Sequence, residues 1–157
     1  MDSPFEKIIS SLDDAHIPYT LSEHDHVYTS ADAARIRGIP LKEGAKALLM
    51  KADATFVLVI LPGDRRVNSK KLRTLFNAKD VRFAHPDEVK DIMGCEIGAC
   101  YPIADFLGIR IVVDTSLSHN EYIAFNPGRH DRTIRMRWND YVARMHPELV
   151  DIVEDTT

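Results

Sequence analysis

The stretch Glu43-Gly44-Ala45-Lys46-Ala47-Leu48-Leu49-Met50-Lys51 decides how this chain folds. A glycine turn opens it, small and apolar residues fill most of it, and one cation, Lys46, stands near its start. The pattern predicts a β-strand. An ammonium beside buried backbone is costly unless an anion or a set of hydrogen-bond acceptors meets it. Lys46 therefore either lies on the solvent face of a half-buried strand, as most strand lysines do, or marks a site.

Downstream, Asp53-Ala54 predicts a tight reversal into Thr55-Phe56-Val57-Leu58-Val59-Ile60-Leu61, an apolar, β-branched run suited to the middle of a sheet. These two adjacent strands, with Lys46 at one end, form the expected centre. Pro62-Gly63-Asp64 breaks the sheet, and Asn68 or Ser69 begins a helix through Phe76 with Leu72 and Leu75 facing inward. Val81-Arg82-Phe83 is a short strand, and His85-Pro86-Asp87-Glu88 opens a helix that Gly94 closes. Cys95 to Pro102 is expected as a brief strand and then a loop of small residues stopped by the proline. Ile109 to Asp114 and Tyr122 to Asn126 are further strands. Thr133 to Trp138 alternates, with Ile134, Met136 and Trp138 on one face and Thr133, Arg135 and Arg137 on the other. Asn139 to Arg144 and Pro147 to Val153 are expected as short terminal helices.

Upstream, Ser3-Pro4-Phe5-Glu6 predicts a helix start with Ser3 as N-cap, and Phe5, Ile8, Ile9 and Leu12 share one face. Tyr19 to Glu23 is a short strand. Thr29 or Ser30 caps a second helix that ends at Gly38. The sum is a single α/β domain over 1–157, a mixed β-sheet flanked by helices.

At 157 residues, 45% hydrophobic and 28% charged, the composition is that of an ordinary globular protein with room for one core. No apolar run is long enough to cross a bilayer and the first residues lack a signal-peptide pattern, so the expectation is a cytoplasmic protein that binds no membrane. Cys95 and Cys100 fit neither a disulfide framework nor a zinc pattern with a second ligand pair. The net charge of -4 argues against a general nucleic-acid coat. Its distribution is uneven: between Asp64 and Arg82 stand Arg65, Arg66, Lys70, Lys71, Arg73, Lys79 and Arg82 against two acids, and Arg129, Arg132, Arg135 and Arg137 cluster later. A basic face and an ordinary solvated surface both fit this pattern.

Three segments place small residues beside polar ones at strand ends: Gly44 to Lys46, Gly98 to Pro102, and Asn126-Pro127-Gly128. Glycine lets backbone N–H groups approach a ligand, and such loops hold oxyanions or phosphates. Gly44-Ala45-Lys46-Ala47-Leu48, then Gly94 to Pro102, then Val113-Asp114-Thr115-Ser116-Leu117 and Tyr122-Ile123-Ala124-Phe125-Asn126-Pro127-Gly128, in that order, resemble the YbaK family of aminoacyl-tRNA editing domains, related to the insertion domain of bacterial prolyl-tRNA synthetases. The resemblance runs from about Tyr19 to about Asp140, and His26-Val27-Tyr28-Thr29 is similar to the family's substrate-side segment.

The resemblance implies a barrel-like, mostly antiparallel sheet and hydrolysis of the ester joining a wrong amino acid to the 3'-terminal adenosine of tRNA. By it, Lys46 contacts the substrate's 3' end, and the backbone at Gly98 and Ala99 polarises the reacting carbonyl. Tyr28, Thr29 and Ala47 are expected to contact substrate, as are Cys100, Tyr101 and Pro102 in the loop, with Asn126 and Gly128 opposite. Positioned water and a ribose hydroxyl replace a protein nucleophile, and no cofactor or metal is implied. The implied partners are aminoacyl-tRNA and, as a recruiter, an aminoacyl-tRNA synthetase. Two departures stand out: Pro102-Ile103-Ala104-Asp105 replaces the Pro-Phe-Gly or Pro-Leu-Gly of many relatives, and Asn126 stands where the alanine-editing branch has histidine.

Other constellations have plainer readings. His24-Asp25-His26 lacks a third metal ligand, and Cys100 lacks a neighbouring base. Ser69 and Ser116 lack the strand-to-helix setting of hydrolase nucleophiles. Trp138 reads as core. Tyr28 either stacks on the terminal adenine or covers the core. The leading expectation is a free-standing deacylase of mischarged tRNA with a small amino acid. The alternatives are a non-catalytic tRNA- or synthetase-binding module and a binder of nucleotide-like small molecules.

Overall fold

The computed structural model describes residues 2–25, 35 and 38–155. Its centre is the hairpin of β2 (Ala45–Ala52) and β3 (Thr55–Pro62), paired antiparallel from Ala45↔Pro62 to Ala52↔Thr55 without a bulge. Asp53 turns the chain at φ 52°, and its carboxylate accepts the N–H groups of Lys79 (3.1 Å) and Asp80 (3.0 Å). That bond pins the hairpin tip to the segment entering β4 (Val81–Phe83). In β3 every residue from Val57 to Pro62 is buried, because the strand has neighbours on both edges and packing on both faces. The sheet runs β4-β2-β3-β5-β8, with β5 at Arg110–Asp114 and β8 at Glu148–Val150. The β3–β5 and β5–β8 pairings are parallel and the others antiparallel.

A second, wholly antiparallel sheet runs β1 (Tyr19–Glu23), β7 (Arg132–Arg137), β6 (Tyr122–Phe125). The expected barrel does not close. The two sheets touch through one isolated parallel bridge, Gly44↔Ala124. The larger apolar cluster draws on both sheets, with Ala45, Ala47, Leu49, Leu58 and Ile60 from the first and Ile123, Phe125, Ile134 and Met136 from the second.

The helices start where local chemistry says they should. In α1 (Pro4–Asp14) the Ser3 side chain accepts the Glu6 N–H at 3.2 Å, proline occupies the first position, and Ile8 and Leu12 are fully buried. Asn68 caps α2 (Ser69–Phe76) by accepting the Lys71 N–H at 3.1 Å, and Leu72 packs on the other face of the first sheet with Met50, Val59 and Leu61. In α3 (Pro86–Met93) the Glu88 carboxylate accepts the His85 N–H at 2.7 Å, and Gly94 ends the helix at φ 66°. The fourth, α4 (Trp138–Met145), stops at His146.

Four expectations need correction. Pro147 to Val153 is not a helix: β8 pairs with the open edge of β5, where Arg110 clamps Glu148 at 2.6 and 3.0 Å. An unpaired parallel edge outweighs the helix propensity of a short, proline-led segment. Cys95 to Gly98 is not a strand, because Gly94 at φ 66° and Gly98 at φ 91° bend it at both ends. Trp138 is buried as expected but opens α4 instead of closing β7. Thr133, expected on the face of Arg135 and Arg137, is buried at 2% exposure while they are not, and meets His24 Nε2 through its hydroxyl at 2.6 Å. Of the expected second helix, from Thr29 or Ser30 to Gly38, all but Arg35 and Gly38 falls outside the described residues.

Asp114, 1% exposed, closes this architecture. One carboxylate oxygen accepts the Ile152 N–H at 3.0 Å, and the other accepts the Ser116 N–H at 3.0 Å and the Ser116 hydroxyl. Truncation would leave those buried donors unpaired. Asp114→Ala is expected to lower unfolding free energy by about 2–3 kcal/mol in urea titrations, with Asp114→Asn recovering part of the loss.

Candidate active site

The start of β2 is fastened to the second sheet by several bonds. Leu41–Glu43 form a 3-10 turn, after which Gly44 bridges to Ala124. The Glu43 carboxylate accepts from Arg135 at 3.2 and 3.3 Å, Asn120 Nδ2 donates to the Lys42 carbonyl at 2.9 Å, and the Gly63 N–H donates to the Gly44 carbonyl at 2.8 Å. Residues paired across a parallel bridge point to the same side, and side chains alternate from there. Two residues beyond the bridge are Lys46 on one strand and Asn126 on the other. Ala45, Ala47, Ile123 and Phe125 turn into the larger core cluster, so by alternation Lys46 turns to the other face of β2, and Asn126 lies just past the end of β6.

Asn126 in turn holds the glycine loop. Its Nδ2 donates to the Gly98 carbonyl at 2.9 Å, and the Gly128 N–H donates to the Ala99 carbonyl at 3.0 Å. Gly128 sits at φ 81°, where an added Cβ would lie 3.2 Å from Pro4 Cβ, so both conformation and space call for glycine. The three glycine-bearing segments picked out in the sequence are therefore linked, Gly44 to Ala124 on β6, and β6 through Asn126 to Gly98.

The loop offers fewer donors than expected. The Ala99 N–H is committed to the Glu96 carbonyl at 3.0 Å, so it does not face a ligand. The Gly98 N–H has no acceptor among the described residues and lies in an exposed turn. Of the two backbone groups expected to polarise a carbonyl, Gly98 is the one left able to do so.

Lys46 is half-buried, and burial lowers its pKa from the ordinary lysine value; Asp64 pulls it back up and Arg66 pushes it further down. No carboxylate lies at ion-pair distance from it among the described residues. A partly desolvated ammonium without a fixed counter-ion gains from any ligand that brings phosphate or hydroxyl oxygens to it.

Most of the remaining expected residues are packed or bonded within the fold. Ala47 packs into the core. Tyr101 is fully buried, donates to the Met93 carbonyl at 2.7 Å and stacks on Phe106 at 5.7 Å. Pro102 is buried and its carbonyl accepts the Tyr141 hydroxyl at 2.9 Å. Cys100 lies 3.9 Å, sulfur to sulfur, from Cys95, whose thiol is driven far above its ordinary pKa by that contact and by burial. These are packed thiols, unsuited to nucleophilic attack. Tyr28 and Thr29 lie outside the described residues, as does His26. Both ring nitrogens of His24 are engaged, with the Asp25 carbonyl and Thr133, and no three metal-binding side chains gather among the described residues.

Most of the clustered arginines are already paired. Arg129 grips Asp131 at 2.9 and 3.0 Å, Arg132 reaches Asp131 and Glu23, and Lys71 meets Asp151 and Asp155. Arg66, Lys70 and Arg73 carry no ion pair among the described residues, and Arg137 has only Glu121 at 3.9 Å. The sequence reading missed Tyr122. It lies two alternations before Asn126 on β6, with the Arg135 guanidinium 4.0 Å from its ring centroid and that of Arg137 at 5.6 Å.

Most of the chain is matched by known proteins. The aminoacyl-tRNA editing domain profile matches residues 24–143. The multifunctional Ser/Thr-tRNA deacylase ProXp-y of Escherichia coli (strain K12) is 29% identical over 151 residues, covering 93% of this chain and 90% of its own. A proline-tRNA ligase of Geobacillus sp. (strain WCH70) is 38% identical over 96 residues, which are 54% of this chain and 17% of that enzyme. A crystal structure provisionally assigned as a trans-editing enzyme for prolyl-tRNA synthetase superposes with a TM-score of 0.84 at 19% identity, covering 99% of each chain, and so shares the fold. With well over half of its length matched by the profile, the chain belongs to the aminoacyl-tRNA editing domain family.

Proposed function

We propose that this protein is a trans-editing hydrolase, one unit over 1–157, that removes a small non-cognate amino acid from tRNA. The reading is supported by the Gly44–Ala124 bridge, from which Lys46 and Asn126 each stand two residues away, and by the bond from Asn126 to Gly98. In the reaction, water adds to the ester carbonyl, the bond to the ribose 3' oxygen breaks, and that oxygen takes up a proton. The products are a free amino acid and tRNA with its terminal hydroxyl restored. The Gly98 N–H donates to the oxyanion as it forms. Lys46 meets ribose or phosphate oxygens of the terminal adenosine, and Asn126 fixes the loop carbonyl that frames the amino acid.

No protein nucleophile enters this scheme. An aminoacyl ester is already activated, and one well-placed oxyanion donor is worth roughly 10²–10³ in rate, with orientation of substrate and water supplying more. The deacylase relative's named substrates, serine and threonine on tRNA, favour a small polar side chain as the one removed. The kinship with proline-tRNA ligases makes a synthetase a candidate recruiter. Such work places the protein in the cytoplasm; no described helix is long and apolar enough to cross a membrane.

A panel of misacylated tRNAs tests the reading. Lys46→Ala is expected to lower kcat/KM by roughly 10- to 100-fold, the worth of one charge-assisted contact, with the fold intact by circular dichroism. A protein that binds tRNA yet hydrolyses no member of the panel would instead be a binding module. Because burial lowers the Lys46 pKa, the ammonium is lost at a pH below 10.5, and the enzymatic rate, corrected for spontaneous ester hydrolysis, is expected to fall through that lower pH. Lys46→Arg, charged throughout, should not show the fall. Chelator is expected to leave the wild-type rate unchanged.

A further inference from the structure

We infer that the polar face of β6 and β7 is a track for the unpaired nucleotides that precede the terminal adenosine, with Tyr122 as the ring on which one of their bases stacks. The inference rests on the proposed placement of that adenosine beside Lys46 and Asn126. Along β6, Tyr122 and Ala124 share one face, since Ile123 and Phe125 point into the core; Ala124 is itself buried there, and Asn126 follows the strand's last residue. Tyr122 therefore stands about 13 Å from Asn126, four residues at about 3.3 Å each, within reach of the next nucleotides of an extended strand.

The cross-strand neighbours complete the track. Tyr122 pairs with Arg137 and Ala124 with Arg135, so both guanidinium groups lie on the face that carries the ring. Arg135 is held by Glu43 at 3.2 Å and lies 4.0 Å from the ring centroid, so the aromatic side chain is oriented before any ligand arrives. Preorganisation of that kind reduces the entropy lost on binding. Arg137 is more than half exposed and only loosely paired, at 3.9 Å, with the exposed Glu121. Surface pairs of that geometry are weak, which leaves Arg137 able to turn to a phosphodiester. The acids facing this group are Glu43 and Glu121: the first neutralises Arg135, the second competes for Arg137.

An aromatic ring flanked by guanidinium groups is the recognition chemistry of unpaired RNA, in which bases stack and phosphates pair. It reads no sequence, and it would serve any tRNA presenting the same single-stranded end. The amino acid would then be selected at the loop and the tRNA tail held along the strand.

Binding of labelled oligoribonucleotides A, CA and CCA, followed by fluorescence anisotropy, tests this without any catalytic step. Wild-type protein should bind more tightly as the cytidines are added. Tyr122→Ala should bind CCA at least about fivefold more weakly, the lower end of base–aromatic stacking, while Tyr122→Phe keeps the gain. Arg137→Ala should reduce the slope of log affinity against log salt by about 0.7, one single-strand phosphate contact. Phe83→Ala, on the far edge strand β4, should behave as wild type. No gain from added cytidines in the wild type, or unchanged CCA binding by Tyr122→Ala with an unaltered melting profile, would overturn the inference. Should the deacylase reading itself fail, wild-type protein would hydrolyse no misacylated tRNA, a separate result that leaves the oligonucleotide series readable.

Discussion

One backbone bridge, Gly44 to Ala124, sets the arrangement on which everything else depends. It is the point where two sheets with separate hydrogen-bond ladders are put in register. Because side chains alternate, a slip of one residue would send Lys46 into the cluster that now holds Ala45 and Ala47 and would turn those alanines outward. Burying an unpaired ammonium there would cost several kcal/mol. The register is accordingly fixed by more than the bridge itself. The Arg135–Glu43 pair, the Asn120 bond to Lys42 and the Gly63 bond to Gly44 all act within a few residues of it.

Sequence carried the elements whose causes are local. The β3 run, the Ser3 and Asn68 caps and the glycine stop at Gly94 each follow from a few adjacent residues, and each forms as expected. What failed depended on partners distant in the chain. β8 exists because β5 has an open edge, and nothing in Pro147 to Val150 announces that edge. Thr133 looks like a surface residue until His24, more than a hundred positions away, is seen to bond its hydroxyl. The closure of a barrel is likewise a global property, and a single bridge does not supply it.

The candidate site divides along the same line. Lys46, Gly98 and Asn126 were nameable because a cation in a strand and glycines at strand ends are odd enough to be noticed. Whether a neighbour faces the ligand or holds the wall behind it was not legible. Ala99, Tyr101 and Pro102 sit in the same loop as Gly98, yet their polar groups are committed to Glu96, Met93 and Tyr141. Those bonds are what keep the Gly98 turn in place. Gly98 can offer its N–H because its neighbours do not offer theirs.

Charge follows a comparable logic. Among the described residues many arginines are held by carboxylates of neighbouring elements, Arg82 by Glu88, Arg110 by Glu148, Arg129 by Asp131 and Arg144 by Asp105. Among the described cations without such a partner are Lys46 and Arg66 near the start of the first sheet's hairpin and Lys70 and Arg73 on α2. Lys46 differs from the rest in being partly removed from water, so that its charge is expensive in the empty protein and relieved by a ligand. A solvated lysine would bind any phosphate weakly, whereas a partly desolvated one rewards the ligand whose oxygens reach it. Selectivity for one ligand over another can arise from that difference in solvation alone.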